Sequence, residues 1–277
     1  MSRIITAGVV LPFLIASILI PWLLPLFVLL LAAAMVLALY EFYFLARRRD
    51  LQPDVVAGYL GAAALFTVFY FNVPDTGADV VMVQMVQLVL LILTAATLIA
   101  ATLRGGPFDK MIASTGATLL GVLYIAFLGG HLLAVRTGFR QTLSAHLLSF
   151  FFLIIMGADT GAFYSGKLFG RHKLAPTISP GKTWEGVAGG LVAALLLAWL
   201  AHYWFFRELP LRWALPLAAV LMIIGVLGDL TESALKRGAG AKDAAKTLPG
   251  HGGLLDRLDS LLLNAPVIYY FGRIYFR

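Results

Sequence analysis

The sequence predicts an all-α polytopic integral membrane protein of about nine transmembrane helices, with its N-terminus in the cytoplasm. Three observations carry this. Hydrophobic residues make up 61% of the 277 positions and charged residues 13%, with a mean hydropathy of +0.91; a water-soluble domain carries about 25% charged residues. The apolar residues fall into runs near the roughly 20 positions a helix needs to cross a hydrocarbon core of about 30 Å. Of the 21 Lys and Arg residues, only Arg136, Arg140, Arg207, Arg212, Arg273 and Arg277 fall on the side opposite the N-terminus, which the positive-inside rule makes the outside. The formal charge of +7 therefore reads as loop bias and implies no nucleic-acid partner. The absence of cysteine excludes disulfides and thiolate chemistry.

The first span, Ile4–Ile20, follows Arg3 and is interrupted by Pro12. It has the charge and apolar run of a signal peptide. A second run starts directly after Pro21, with no small-x-small cleavage site between them, so the first reads as a retained span. Leu23–Ala46 follows across a Pro21/Pro25 turn, then Val55–Phe71, Val80–Leu103, Ile112–Val135 and Ser144–Leu168. Trp184–Phe206, Leu211–Gly228 and Ser260–Phe276 complete the set. Grouped by content, 1–110 are N-terminal membrane helices, 111–143 a middle membrane helix, and 144–277 a C-terminal membrane domain that gathers the polar residues of one face. Two spans separate the Lys167–Glu185 loop from the Ser233–Asp259 stretch. An even number places both on one face.

Polar residues concentrate at that face. Asp229, Glu232, Ser233 and Lys236 recur at i, i+3, i+4 and i+7, one side of a helix extending the eighth span. A carboxylate at the rim of an apolar span is costly unless it faces a bundle interior or a cavity, which makes it a functional candidate. Asp256, Asp259 and Ser260 repeat the pattern at the start of the ninth span, where the helix dipole favours anions. Ser179-Pro180-Gly181-Lys182 reads as a helix start, with Ser179 as N-cap and Pro180 at the first helical position. Gly181 leaves a ligand room to approach the backbone, and the free N–H groups of the helix end suit an anion. Glu185, three residues beyond Lys182, is placed to pair with it. This is not a P-loop, because Pro176 stands where that pattern needs glycine and no strand is expected before it. Asp159 interrupts an apolar run and is a further candidate, while Gly157, Gly161 and Ser165 around it read as helix packing. His131, His146, His202 and the Phe150–Phe152 run also read as packing.

The Ser233–Asp259 stretch resembles the signature of the phosphatidate cytidylyltransferases, the CDP-diacylglycerol synthases. Ser233, Lys236-Arg237, Lys242-Asp243, His251-Gly252-Gly253 and Asp256-Arg257-Leu258-Asp259 all stand at that family's spacing. The likeness extends to Asp159-Thr160-Gly161 and to Ser179–Glu185, and over the first 150 residues it lies in hydropathy and length. It implies an enzyme that transfers CMP from CTP to phosphatidate, giving CDP-diacylglycerol and pyrophosphate in phospholipid biosynthesis. It further implies Mg²⁺, with a second cation left open, a homodimer, and a site on the cytoplasmic face of a bacterial inner membrane.

Carried onto this chain, the resemblance assigns Lys182, Lys236, Arg237, Lys242, Asp243, His251 and Arg257 to catalysis. Ser179, Gly181, Lys182, Thr183, Glu185, Ser233, Gly252 and Gly253 would bind substrate, and Asp159, Asp229, Asp256 and Asp259 the metal. Two other readings compete. CDP-alcohol phosphotransferases also use spaced aspartates, but in Asp-x-x-Asp-Gly, and here Ser260 follows Asp259. An anion transporter would want interrupted helices near the midplane, whereas these polar residues gather at one rim.

Overall fold

The computed structural model describes residues 2–71, 78–105, 108–241 and 253–276, with side chains from residue 11 onward in the first helix and from 81 in the fourth. The helices are α1 (Ser2–Leu19), α2 (Leu24–Arg47), α3 (Val55–Tyr70), α4 (Ala78–Leu103), α5 (Met111–Gly121), α6 (Leu128–Thr137), α7 (Gln141–Phe169), α8 (Trp184–Trp204), α9 (Leu211–Gly238) and α10 (Leu255–Tyr275). A π-helical segment, Val122–Phe127, joins α5 to α6 into one continuous span. Among the described residues six helices are long and apolar enough to cross a membrane, and α3 is a shorter apolar helix. The chain is a polytopic membrane protein.

Pro12, Pro216 and Pro266 lie inside α1, α9 and α10 without ending them. Neighbouring helices in a bundle satisfy the carbonyls that proline frees. Small residues set the closest approaches. Gly157 and Gly161 of α7 face Leu197 and Ala193 of α8, and Ser165 lies against Gly189. Along α9, Gly225 and Gly228 lie against α10 at Asn264, Ser260 and the Asp259 carbonyl. A side chain at Gly228 would collide with that carbonyl, so glycine sets how closely Asp229 and Asp259 approach. Asn264 locks the same seam, donating to Leu221 O at 2.9 Å and Ser260 O at 2.8 Å.

Side-chain bonds tie the helix ends into two layers. At one end, Arg104 pairs with Asp54 at 2.7 Å, Arg49 donates to Gly238 O and Arg237 donates to Ile178 O. At the other, Arg136 donates to Ser17 O, Arg273 to Gly138 O, and Thr137 to Phe69 O. The first layer holds both polar stretches.

The chain is all-α apart from one short ribbon, and that ribbon corrects the reading of Ser179. A two-stranded antiparallel hairpin, β1 (Lys173–Ala175) and β2 (Ser179–Thr183), precedes α8, with Lys173 opposite Thr183 and Ala175 opposite Ser179. Ser179 is therefore a strand residue, not an N-cap, and Pro180 lies in β2. A strand of a two-stranded ribbon has one unpaired edge, where proline is tolerated.

Candidate active site

Thr183 turns the hairpin into the helix. Its hydroxyl accepts from Gly186 N at 3.1 Å, making it the N-cap of α8, and it is buried beside Gly166, Gly170 and Gly186. This anchor points the preceding residue, Lys182, back across the bundle. Lys182 Nζ lies 2.7 Å from Asp229 Oδ2 and donates to Val226 O at 3.3 Å, both on α9. Gly181, by contrast, is exposed, and a Cβ built there meets nothing within 4 Å. Among the described residues, no packing requires glycine at that position.

Glu185 does not pair with Lys182, as the sequence suggests. Its carboxylate accepts from His172 Nδ1 at 2.6 Å and from the backbone N–H groups of Arg171 and His172. The hairpin aims Lys182 at α9, so the carboxylate that opens α8 instead closes the loop ahead of β1.

Two polar clusters result. In the first, Asp229 of α9 is joined by Lys182 and, at 3.4 Å, by the Ser233 hydroxyl. Asp159 of α7 and Asp259 of α10 both lie within electrostatic reach of Asp229 and Lys182. Asp159 also lines a small cavity with Ala158, Ala162, Met222, Gly225 and Val226. Asp259 accepts from the N–H of Ser260 at 2.6 Å. In the second cluster, Lys236 Nζ lies 2.7 Å from Glu232 Oε2 and 2.6 Å from Asp256 Oδ1. The other Asp256 oxygen accepts from Gly253 N at 2.8 Å. Glu232 is almost wholly buried, so this lysine is the cation that meets an acid withdrawn from solvent.

The remaining candidates scatter more. Arg237 holds the hairpin turn through Ile178 O and the chain beyond α9 through Ala241 O, each at 3.3 Å. Arg257 is exposed in the first turn of α10. Lys242, Asp243, His251 and Gly252 lie outside the described residues.

A metal must be tested against this donor set. Among the described residues, no three Asp, Glu, His or Cys groups form a ready-made cage. Mg²⁺ rarely uses one; it takes one or two carboxylates and completes its shell with water and substrate phosphates. Asp159, Asp229 and Asp259 are hard oxygen donors brought near one another from three helices, and Lys182 offsets one of the charges. That set fits. Asp256 fits less directly, since both its oxygens are already engaged by Lys236 and Gly253.

Sequence reasoning missed one buried carboxylate. Glu41 of α2 is fully buried and accepts from Leu254 N at 2.8 Å and Leu255 N at 2.7 Å, at the opening of α10. The signal was present: it is a carboxylate inside an otherwise apolar span.

Comparison with known proteins bears on this site. A model of the cytidylyltransferase family matches residues 1–275. The phosphatidate cytidylyltransferase of Haemophilus influenzae is 46% identical over 129 residues, 45% of either chain. That of Bacillus subtilis is 39% identical over 185 residues, 66% of this chain and 64% of the relative. That of Staphylococcus haemolyticus is 36% identical over 214 residues, 77% of this chain and 78% of the relative. The matched region thus spans less than two thirds of the first two relatives and over three quarters of the third.

Proposed function

The chain belongs to the cytidylyltransferase family, and on that premise we propose that it is a phosphatidate cytidylyltransferase, making CDP-diacylglycerol and pyrophosphate from phosphatidate and CTP. A phosphate oxygen of phosphatidate forms a bond to the α-phosphorus of CTP, and the bond from that phosphorus to the bridging oxygen of the β-phosphate breaks. The nucleophile is already ionised at neutral pH, so no strong general base is needed. The demand is to bring two polyanions together and to hold charge on the leaving pyrophosphate, which calls for preorganised cations. Mg²⁺, held by Asp229 and Asp259 with Asp159 close by, would supply Lewis-acid stabilisation of that charge.

The protein's own residues supply the rest. Lys182 and Lys236 are largely buried cations of the site, each pre-positioned by a carboxylate. With a metal bound, Asp229 would be one of its holders, and Lys182, now the 2.7 Å partner of Asp229, would be left to pair with a phosphate oxygen. This exchange of partners leaves no charge unpaired. Ser233 orients Asp229, and Asp256 orients Lys236. Arg237, Arg257, Lys242, His251, Gly252 and Gly253 would add further phosphate contacts and Asp243 a catalytic carboxylate, with Gly181 giving the nucleotide access to the backbone.

The observation that carries the reading is the 2.7 Å pair between Lys182 and Asp229, which joins the two polar stretches into one site. Nine spans with the N-terminus and site on the cytoplasmic face, a bacterial inner membrane and a homodimer belong to the same proposal. The test is purified protein with phosphatidate, Mg²⁺ and each of the four nucleoside triphosphates, reading pyrophosphate. CTP should dominate; a clear preference for ATP or GTP would sink the assignment.

A further inference from the structure

We infer that Glu41 is a positioning residue for this reaction, through which the N-terminal half of the chain sets the geometry of the C-terminal site. The inference rests on the functional reading above. Glu41 lies in α2, fully buried, and its two oxygens accept from consecutive amides, Leu254 N and Leu255 N, 213 and 214 residues away in sequence. These are among the backbone donors that a helix start leaves without intrahelical partners. A carboxylate from another helix thus does at α10 what an N-cap side chain ordinarily does.

The position of the clasp gives it leverage over the site. Asp256 is the next residue after the second clasped amide, and Asp259 lies one turn on. Fixing the first turn of α10 fixes the direction in which both carboxylates leave the helix. The same end of α2 also reaches the far side of the polar stretch, where Arg49, just beyond it, donates to Gly238 O at the close of α9. Around Glu41 the apolar contacts are dense: Ala38, Leu39, Phe42 and Leu45 pack in one buried cluster with Ala241 and Leu255. One helix therefore holds both ends of the segment that carries the signature. Burying a carboxylate for cohesion alone is expensive; an apolar residue of similar volume does that more cheaply.

The experiment compares wild type, Glu41→Gln, Glu41→Asp and Glu208→Gln, the last an exposed control on the opposite face. Amide hydrogen exchange is read over residues 253–258, together with kcat and KM for CTP. Glu41→Gln keeps one acceptor and sets an amide donor against an N–H. It should lose protection at Leu254 and Leu255 while the rest of the bundle stays protected. Its kcat should fall roughly tenfold or more with KM for CTP little changed, as for other residues that orient a metal-binding carboxylate. Glu41→Asp, which keeps the charge but is one methylene shorter, should recover part of both, and it serves as the readout if the Gln variant fails to accumulate. Glu208→Gln should match wild type. Unchanged protection at 254–255 would overturn the clasp. Lost protection with unchanged kcat, or protection lost throughout the bundle, would reduce Glu41 to a structural group. If wild type itself makes no pyrophosphate from CTP, the functional reading fails, and the exchange data still decide whether the clasp exists.

Discussion

Replacing Lys236 with Met separates the structural work of the site from its catalytic work. The Lys236 side chain is 13% exposed and lies between Glu232, 1% exposed, and Asp256, 15% exposed. Met keeps most of the aliphatic stem and removes only the charge, so packing changes little. The two acids, Glu232 and Asp256, are then left against each other with no cation between them and little water around them. Removing one partner of a buried ion pair costs about 3–5 kcal/mol, because the other charge is left uncompensated. Adding Glu232→Gln removes the more deeply buried of the two acids, and the coupling between contacting groups of this kind is roughly 0.5–3 kcal/mol. The double variant should therefore regain a large part of the lost stability, read as thermal unfolding in detergent. Turnover should not return with it, because the cation proposed to meet the substrate phosphate is still absent. Recovery of turnover together with stability would refute the reasoning and make Lys236 a counter-charge for Glu232 and nothing more. A single variant as stable as wild type would refute the electrostatic argument itself.

Three other outcomes rest on the same geometry. Lys182→Ala should lose activity by roughly tenfold or more, as expected for one charged contact in a water-poor site, while Lys182→Arg keeps part of it; wild-type turnover in the Ala variant would leave β2 a structural hairpin. Asp256→Asn should insert normally yet lose activity about a hundredfold, because its contact to Lys236 or to Gly253 N must go and the charge with it; initial rates at saturating Mg²⁺ check this, and wild-type turnover would remove Asp256 from the site. In cells, a cysteine replacing Arg48 should be shielded from an impermeant outside reagent and one replacing Arg207 should react, since the chain has no native cysteine to confuse the label; the opposite pattern would invert the topology.

Much of this is legible in the sequence because membrane spans and rim carboxylates leave local signals. The i, i+3, i+4, i+7 stripe from Asp229 to Lys236 lies on α9, and Asp256 and Asp259 open α10. The apolar runs track the helix bounds to within a few residues, except that α9 runs ten residues past Gly228, through the polar stripe, and α10 starts five residues ahead of Ser260. The hairpin escapes a sequence reading because Ser-Pro is a helix-start signal, and a two-stranded ribbon of three and five residues has too little periodicity to outweigh it. Thr183, four residues on, carries the same capping chemistry and is the better choice by its place directly ahead of the apolar run. Glu185 is assigned the nearer cation when sequence distance stands in for spatial distance. Glu41 is overlooked for the converse reason: its partners are backbone amides more than two hundred positions away, and no side-chain pattern announces a backbone partner.

The central claim is that this site transfers a cytidylyl group to a lipid phosphate. The direct test supplies purified protein with phosphatidate, Mg²⁺ and CTP labelled either at the α- or at the γ-phosphorus, and separates lipid from aqueous products. The account predicts α-label in the lipid and γ-label in pyrophosphate. Label from the γ-position appearing in the lipid, or α-label leaving as free CMP, would contradict it.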